Sequence, residues 1–149
     1  MTGAGDGIGR AAALALAKHG ATVIMLGRTQ EKLEAVYDEI VAMGAPQPAL
    51  APMNLEVARP ADYEELAGMF GNAFGRLDGI LHNASILGEI TPIDQYSYGT
   101  WESVMQVNIN APFFLTRAML PLLKDSADAS VLFTTSSVGR KGRDRKSVV

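Results

Sequence analysis

Four glycines fall within seven positions in Thr2-Gly3-Ala4-Gly5-Asp6-Gly7-Ile8-Gly9, directly ahead of an Ala- and Leu-rich stretch. Glycine permits the positive φ of a tight turn, and the missing side chains let a phosphate approach the backbone. N–H groups at the start of a helix opened by Ile8 would face that phosphate, with a dipole of about half a charge behind them. Gly3, Gly7 and Gly9 follow the pattern T-G-x-x-x-G-x-G, not G-x-G-x-x-G. Such spacing serves a ligand-free turn equally well; the Ala-rich stretch and the TVIML run behind it tip the balance toward a nucleotide. An acid about 20 positions past the glycines normally holds the ribose hydroxyls of NAD. Here the TVIML run ends in Gly27-Arg28, with no carboxylate. A guanidinium would pair with a 2′-phosphate that a carboxylate would repel, so Arg28 favours NADP(H) over NAD(H). A solvent-facing arginine is the plain alternative.

These residues need a frame to hold them. The stretch 8–20 reads as a helix stopped by Gly20. TVIMLG (22–27) is a short apolar, partly β-branched run of the kind buried on both faces of a parallel sheet. Thr29 is a cap candidate for a helix in which Leu33, Val36, Ile40 and Met43 recur at helical spacing, ending at Gly44. A proline-bounded strand is predicted at 49–53, then a helix over 61–74 with Leu66, Met69 and Phe70 on one face. LDGILHNAS reads as a strand running into a loop. One long helix is expected over 98–123, bent near Pro112, with Met105, Phe113, Phe114 and Met119 as core residues. SVLFTTSS closes the series as a strand entering a serine-rich turn. Alternating strands and helices give βαβ units with right-handed crossovers. The fold class is α/β: one doubly wound, Rossmann-like domain over 1–143, with a parallel sheet between two helical layers.

The 149 residues are 48% hydrophobic and 19% charged, ordinary proportions for a globular α/β chain. A net charge of −3 lacks the basic excess of a nucleic-acid binder. The absence of cysteine excludes disulfides, thiolate metal sites and thiol catalysis. No apolar run reaches the roughly 18 residues that span a bilayer, and the first residues lack a signal-peptide pattern. A cytoplasmic protein is expected, with no metal and no membrane or nucleic-acid partner.

With TGAGDGIG, LHNAS, VMQVNIN and VLFTTSSVG in this order and spacing, the chain resembles the short-chain dehydrogenase/reductase family over 2–143. The likeness is nearest to a bacterial oxidoreductase subgroup of unknown substrate. It implies hydride transfer between NAD(P) and a carbonyl or alcohol substrate, and a homo-oligomer in the intact protein. Gly3, Gly7, Ile8 and Gly9 would line the pyrophosphate. Asn54 stands near the adenine, where the family more often has Asp. Asn83 and Ala84 match the family's N-N-A-G stretch bordering the cofactor, whereas His82 and Ser85 depart from it. Ser85 adds a side chain at a close approach, and His82 reads as structural. Asn108 corresponds to a catalytic Asn whose amide holds a water in a proton relay. Ser136, with Ser137 as the alternative, corresponds to the serine that hydrogen-bonds the substrate's carbonyl oxygen as charge develops there. On the residues alone, Asn108 is a polar helix residue satisfied by a neighbour, and Ser136 belongs to a plain turn.

The family's proton donor is a Tyr tuned by a Lys four residues on. No Y-x-x-x-K occurs here: Tyr37, Tyr63, Tyr96 and Tyr98 all precede Ser136, and none has Lys at that spacing. The family spacing puts the tyrosine at about Val149. At the other end, Met1 stands where the family's central first strand finishes. The segment 144–149, DRKSVV, resembles a translated sequencing-adapter oligonucleotide and reads as a non-native tail. The expectation is a fragment of an NADP(H)-dependent oxidoreductase, inactive as it stands and unstable alone. The alternatives are a nucleotide-binding regulatory module or an interaction partner on the same fold.

Overall fold

The computed structural model describes residues 1–136; Ser137 and the 144–149 tail lie outside the described residues. Helix α1 (Gly7–Lys18) starts one residue earlier than expected, because Asp6 is its N-cap and accepts the Gly7 N–H at 2.8 Å. The first N–H of the helix is therefore already engaged by a carboxylate. Strand β1 (Ile24–Gly27) follows, then α2 (Gln30–Ala42), β2 (Ala49–Pro52), and α3 (Pro60–Phe74). Thr29 caps α2 by backbone position alone, without a side-chain bond. Pro60 opens α3, and the Asp62 carboxylate reaches back to the Arg59 N–H at 2.7 Å.

Side chains alternate across a strand, and β1 shows why the TVIML run is apolar throughout. Val23 and Met25 pack under α1 and α2 with Ala13, Ala17, Leu33, Val36 and Ile40. Ile24 and Leu26 join the opposite layer with Tyr63, Leu66, Leu115 and Met119. Two expected face residues fall outside: Met43 is 48% and Met69 is 52% exposed. The buried stripes are narrower than the apolar spacing, running through Ile40 on α2 and through Tyr63, Leu66 and Phe70 on α3.

Strand β3 (Gly79–His82) leads through a 3₁₀ turn at Ile93–Gln95 into the segment expected as one long helix. That helix has three parts: α4 (Tyr98–Met105), a π-helical stretch (Gln106–Asn110) and α5 (Ala111–Lys124). The irregularity lies beside Pro112, ending two residues before it. The helix runs unbroken from α4 through the π-helical stretch into α5, so Pro112 lacks an N–H that would return to the preceding turn. Ala111, Leu115, Met119 and Leu123 form the buried ridge of α5. Phe113 points away from that ridge and is 62% exposed, contrary to the core role expected of it.

Strand β4 (Ser130–Phe133) pairs with β3 in parallel from Gly79↔Ser130 to His82↔Phe133, and β1 pairs with β2 in parallel from Ile24↔Ala49 to Gly27↔Pro52. The two pairs are separate ladders joined by the first residues of the chain. Leu26 N–H donates to Met1 O and Thr2 N–H to Leu81 O, both at 2.9 Å. The order across the sheet is β2, β1, Met1–Thr2, β3, β4.

Candidate functional site

The glycine turn is fixed from the far side of the sheet. Buried Thr2 uses its Oγ1 to accept the N–H groups of Asn83 and Ala84, at 3.0 and 3.1 Å. Asn83 returns its Nδ2 to Gly3 O at 3.3 Å, while its Oδ1 accepts the Thr134 hydroxyl at 3.1 Å. One amide thus ties together the turn before α1, the end of β3 and the segment after β4. The turn needs its glycines at particular places. Gly3 has φ +65°, and a Cβ there would come within 2.9 Å of Ala84 Cα. A Cβ on Gly9 would overlap Gly3 O and lie 2.7 Å from Asn83 Nδ2. Gly7 also has positive φ, +50°, but a Cβ there would meet open space.

A crevice of about 330 Å³ opens beyond the carboxyl ends of β1, β2 and β3. This is where ligands lodge in doubly wound sheets. Gly3, Gly5 and Asp6 form one wall, Gly27, Arg28, Thr29 and Lys32 a second, Asn54 to Glu56 a third. Asn83 to Ile86, with Val107, close it. Lys32 pairs with Asp6 at 2.6 Å, and that bond, with the Gly7 N–H, holds the exposed Asp6 carboxyl below its usual pKa. Asn54 accepts the Glu56 N–H on its Oδ1 at 3.1 Å, which leaves the NH₂ as the end able to donate into the crevice.

Of the residues predicted for cofactor binding, Gly3, Arg28, Asn54, Asn83 and Ala84 line this crevice. Gly7, Ile8 and Gly9 shape or flank the turn, and the Ile8 side chain is 69% exposed. Lys32 and Asp6 were not singled out from sequence. A lysine in the first turn of a helix opposes the dipole, and this was the available signal. Asn108 lies in the π-helical stretch, with both ends of its amide engaged: Oδ1 accepts Ile86 N–H and Nδ2 donates to Ile86 O, each at 2.9 Å. Ser136 is exposed three residues past β4.

His82 is buried, bonded through Nε2 to Thr116 Oγ1 at 2.8 Å and stacked on Phe133 at 4.9 Å. Burial first, and the Met1 ammonium second, push its pKa down to about 4, so the imidazole is neutral. Tyr63 is locked in the core with its pKa pushed up to about 12, chiefly by burial. Among the described residues no three His, Asp or Glu side chains cluster as metal ligands, and no helix is long and apolar enough to cross a membrane.

The short chain dehydrogenase family profile matches residues 1–148, and the chain belongs to that family. It is 47% identical over 143 residues to the uncharacterized oxidoreductase YciK of Escherichia coli K12, covering 96% of this chain and 57% of that protein. A chain solved from Pseudomonas syringae superposes with a TM-score of 0.92 at 57% identity, over 95% of this chain and 57% of that one. A Shigella flexneri short chain dehydrogenase solved in complex with NADP gives 0.92 at 46% identity, over 97% of this chain and 61% of that one. The chain therefore spans little more than half the length of these relatives.

Proposed function

We propose that the crevice binds NADP(H) and that these residues belong to an oxidoreductase exchanging hydride with a carbonyl or alcohol. The carrying observation is the junction of the glycine turn with Arg28 at the ends of adjacent strands. Gly3 and Gly5 line the crevice without side chains, which supports a close approach of a phosphate to the backbone there, while Gly9 is required by the packing of the turn on Gly3 and Asn83. The relative complexed with NADP supports the same cofactor here. When bound, the nicotinamide supplies or receives the hydride. Arg28 holds the 2′-phosphate by charge-assisted hydrogen bonds, and the Asn54 NH₂ donates near the base. Asp6 sits where a phosphate would meet the α1 N-terminus, and Lys32 offsets its charge. Asn83 and Thr2 position the turn. Ser136 is assigned to the substrate oxygen and Asn108 to the relay region beside it.

A second reading, a nucleotide-binding module without catalysis, is favoured by the Asn108 amide, both ends of which are taken by the Ile86 backbone. Titration with NADPH and NADH, followed by nicotinamide fluorescence, tests the cofactor assignment. Tighter binding of NADPH, abolished by Arg28→Ala, is expected; preference for NADH overturns the Arg28 assignment. Assaying a full-length relative-sized protein carrying these residues separates the two readings. Hydride transfer favours the enzyme, and binding without turnover favours the module.

A further inference from the structure

The charged side chains lining the crevice are Arg28 and Lys32 on one wall, with Asp6 and Glu56 on the others. A phosphate monoester carries about −1.5 to −2 charges near pH 7. Set against two carboxylates, the Arg28 guanidinium alone would leave such a group with no net attraction. The place of Lys32 is therefore decisive, and the fold fixes it closely. Its stem packs on the glycine turn at Gly5, where a Cβ would come within 2.9 Å of Lys32 Cβ. The bare Gly5 lets the first turn of α2 seat there. The ammonium donates to Asp6 Oδ2 at 2.6 Å, while Oδ1 of the same carboxylate accepts the Gly7 N–H at 2.8 Å. Both side chains of this pair are exposed, so it adds little to stability. What it fixes is the position of a positive charge. An ammonium carries several N–H donors, and Asp6 takes one of them.

We propose that Lys32, held at the crevice by Asp6, is the second cation for the adenosine 2′-phosphate and, with Arg28, sets the preference for NADPH over NADH. The assignment rests on the reading of the crevice as an NADP(H) site. Arg28 and Lys32 stand on either side of Thr29, the N-cap of α2. A phosphate lodged at that turn meets a planar guanidinium on one flank and a point-like ammonium on the other. NADH carries a hydroxyl in place of the phosphate, so its binding draws little on Lys32. Without Lys32 the Asp6 carboxylate would also face the phosphate uncompensated. The two effects are separable, because Asn caps a helix about as well as Asp and removes the charge while keeping the start of α1.

The test titrates the 149-residue protein and its variants with NADPH and NADH by nicotinamide fluorescence. Adenosine 2′,5′-bisphosphate and adenosine 5′-monophosphate, compared by calorimetry, isolate the 2′-phosphate. Lys32→Gln, with unchanged circular dichroism, is expected to weaken NADPH and the bisphosphate about tenfold while NADH and the monophosphate stay within about twofold. Lys32→Arg should restore the preference. The double variant Asp6→Asn, Lys32→Gln should remain well short of the parent for NADPH, because the donor to the phosphate is still missing. An NADPH-to-NADH ratio unchanged by Lys32→Gln would overturn the proposal. So would an equal loss of both dinucleotides, which would place Lys32 on a part they share. Full recovery in the double variant would also overturn it, since Lys32 would then only neutralise Asp6. A parent that binds neither dinucleotide defeats the cofactor reading and this assignment together, whereas a parent that prefers NADPH with or without Lys32 defeats this assignment alone.

Discussion

At the residue scale the glycine turn is the most constrained part of the molecule. A Cβ at Gly9 overlaps the Gly3 carbonyl oxygen, which is backbone and cannot swing aside. Gly9→Ala is therefore expected to cost at least the 1–3 kcal/mol typical of overpacking, and to weaken NADPH binding tenfold or more. Urea denaturation with nicotinamide fluorescence checks both; a variant matching the parent in both would show that the turn relaxes freely. Gly7→Ala tests the distinction between space and φ. Its surroundings are open, so only the positive φ resists the change, and a smaller loss, of about 1 kcal/mol, is expected in the same titration. Sequence made the turn legible because glycine spacing is local. Thr2 and Asn83 meet across 81 positions, and Asp6 meets Lys32 across 26, so no spacing rule could pair them. Arg28 was readable as a cation at a strand end. The Lys32–Asp6 pair that accompanies it required the packing of α2 beside the turn.

At the element scale the helical segment after β3 joins the core to the loop that closes the crevice. Asn108 brackets both backbone groups of Ile86 from the π-helical stretch, where the wider turn interrupts the α-helical register. Sequence reasoning located the segment and its apolar ridge. It put the irregularity near Pro112, because proline is the visible helix breaker, and the π-helical stretch ends two residues before it; the i→i+5 form of that turn leaves no mark of its own in the residue types. Asn108→Ala removes partners from a half-buried N–H and C=O, at about 1–3 kcal/mol for an unmet group. Limited proteolysis should then cut the 86–97 loop several times faster than in the parent, with α4 and α5 still folded by circular dichroism. Cleavage at the parent rate would mean that the loop is held by other contacts, such as the Thr100–Glu89 hydrogen bond.

At the scale of the whole molecule the sheet is two ladders coupled through Met1–Ala4, and this coupling carries a pH dependence. The Met1 ammonium is shifted from 8.0 down to about 6, and His82 from 6.5 down to about 4, both chiefly by burial. Each group binds fewer protons when folded than when unfolded. Stability therefore rises with pH between about 6 and 8 through Met1, and between about 4 and 6.5 through His82. Both contributions are fully present above pH 8 and are lost as the pH falls through the folded values. The Asp6 and Asp78 carboxyls, held below their usual range by hydrogen bonds to Lys32 and to Ser126, act in the same sense at lower pH. The urea midpoint, read by circular dichroism, should climb between pH 5 and 8, with self-association most pronounced at the acid end. N-terminal acetylation should flatten the part between pH 6 and 8 and leave the His82 part intact. A midpoint independent of pH, or a slope at pH 6–8 unchanged by acetylation, would mean that the terminus is hydrated in the folded protein.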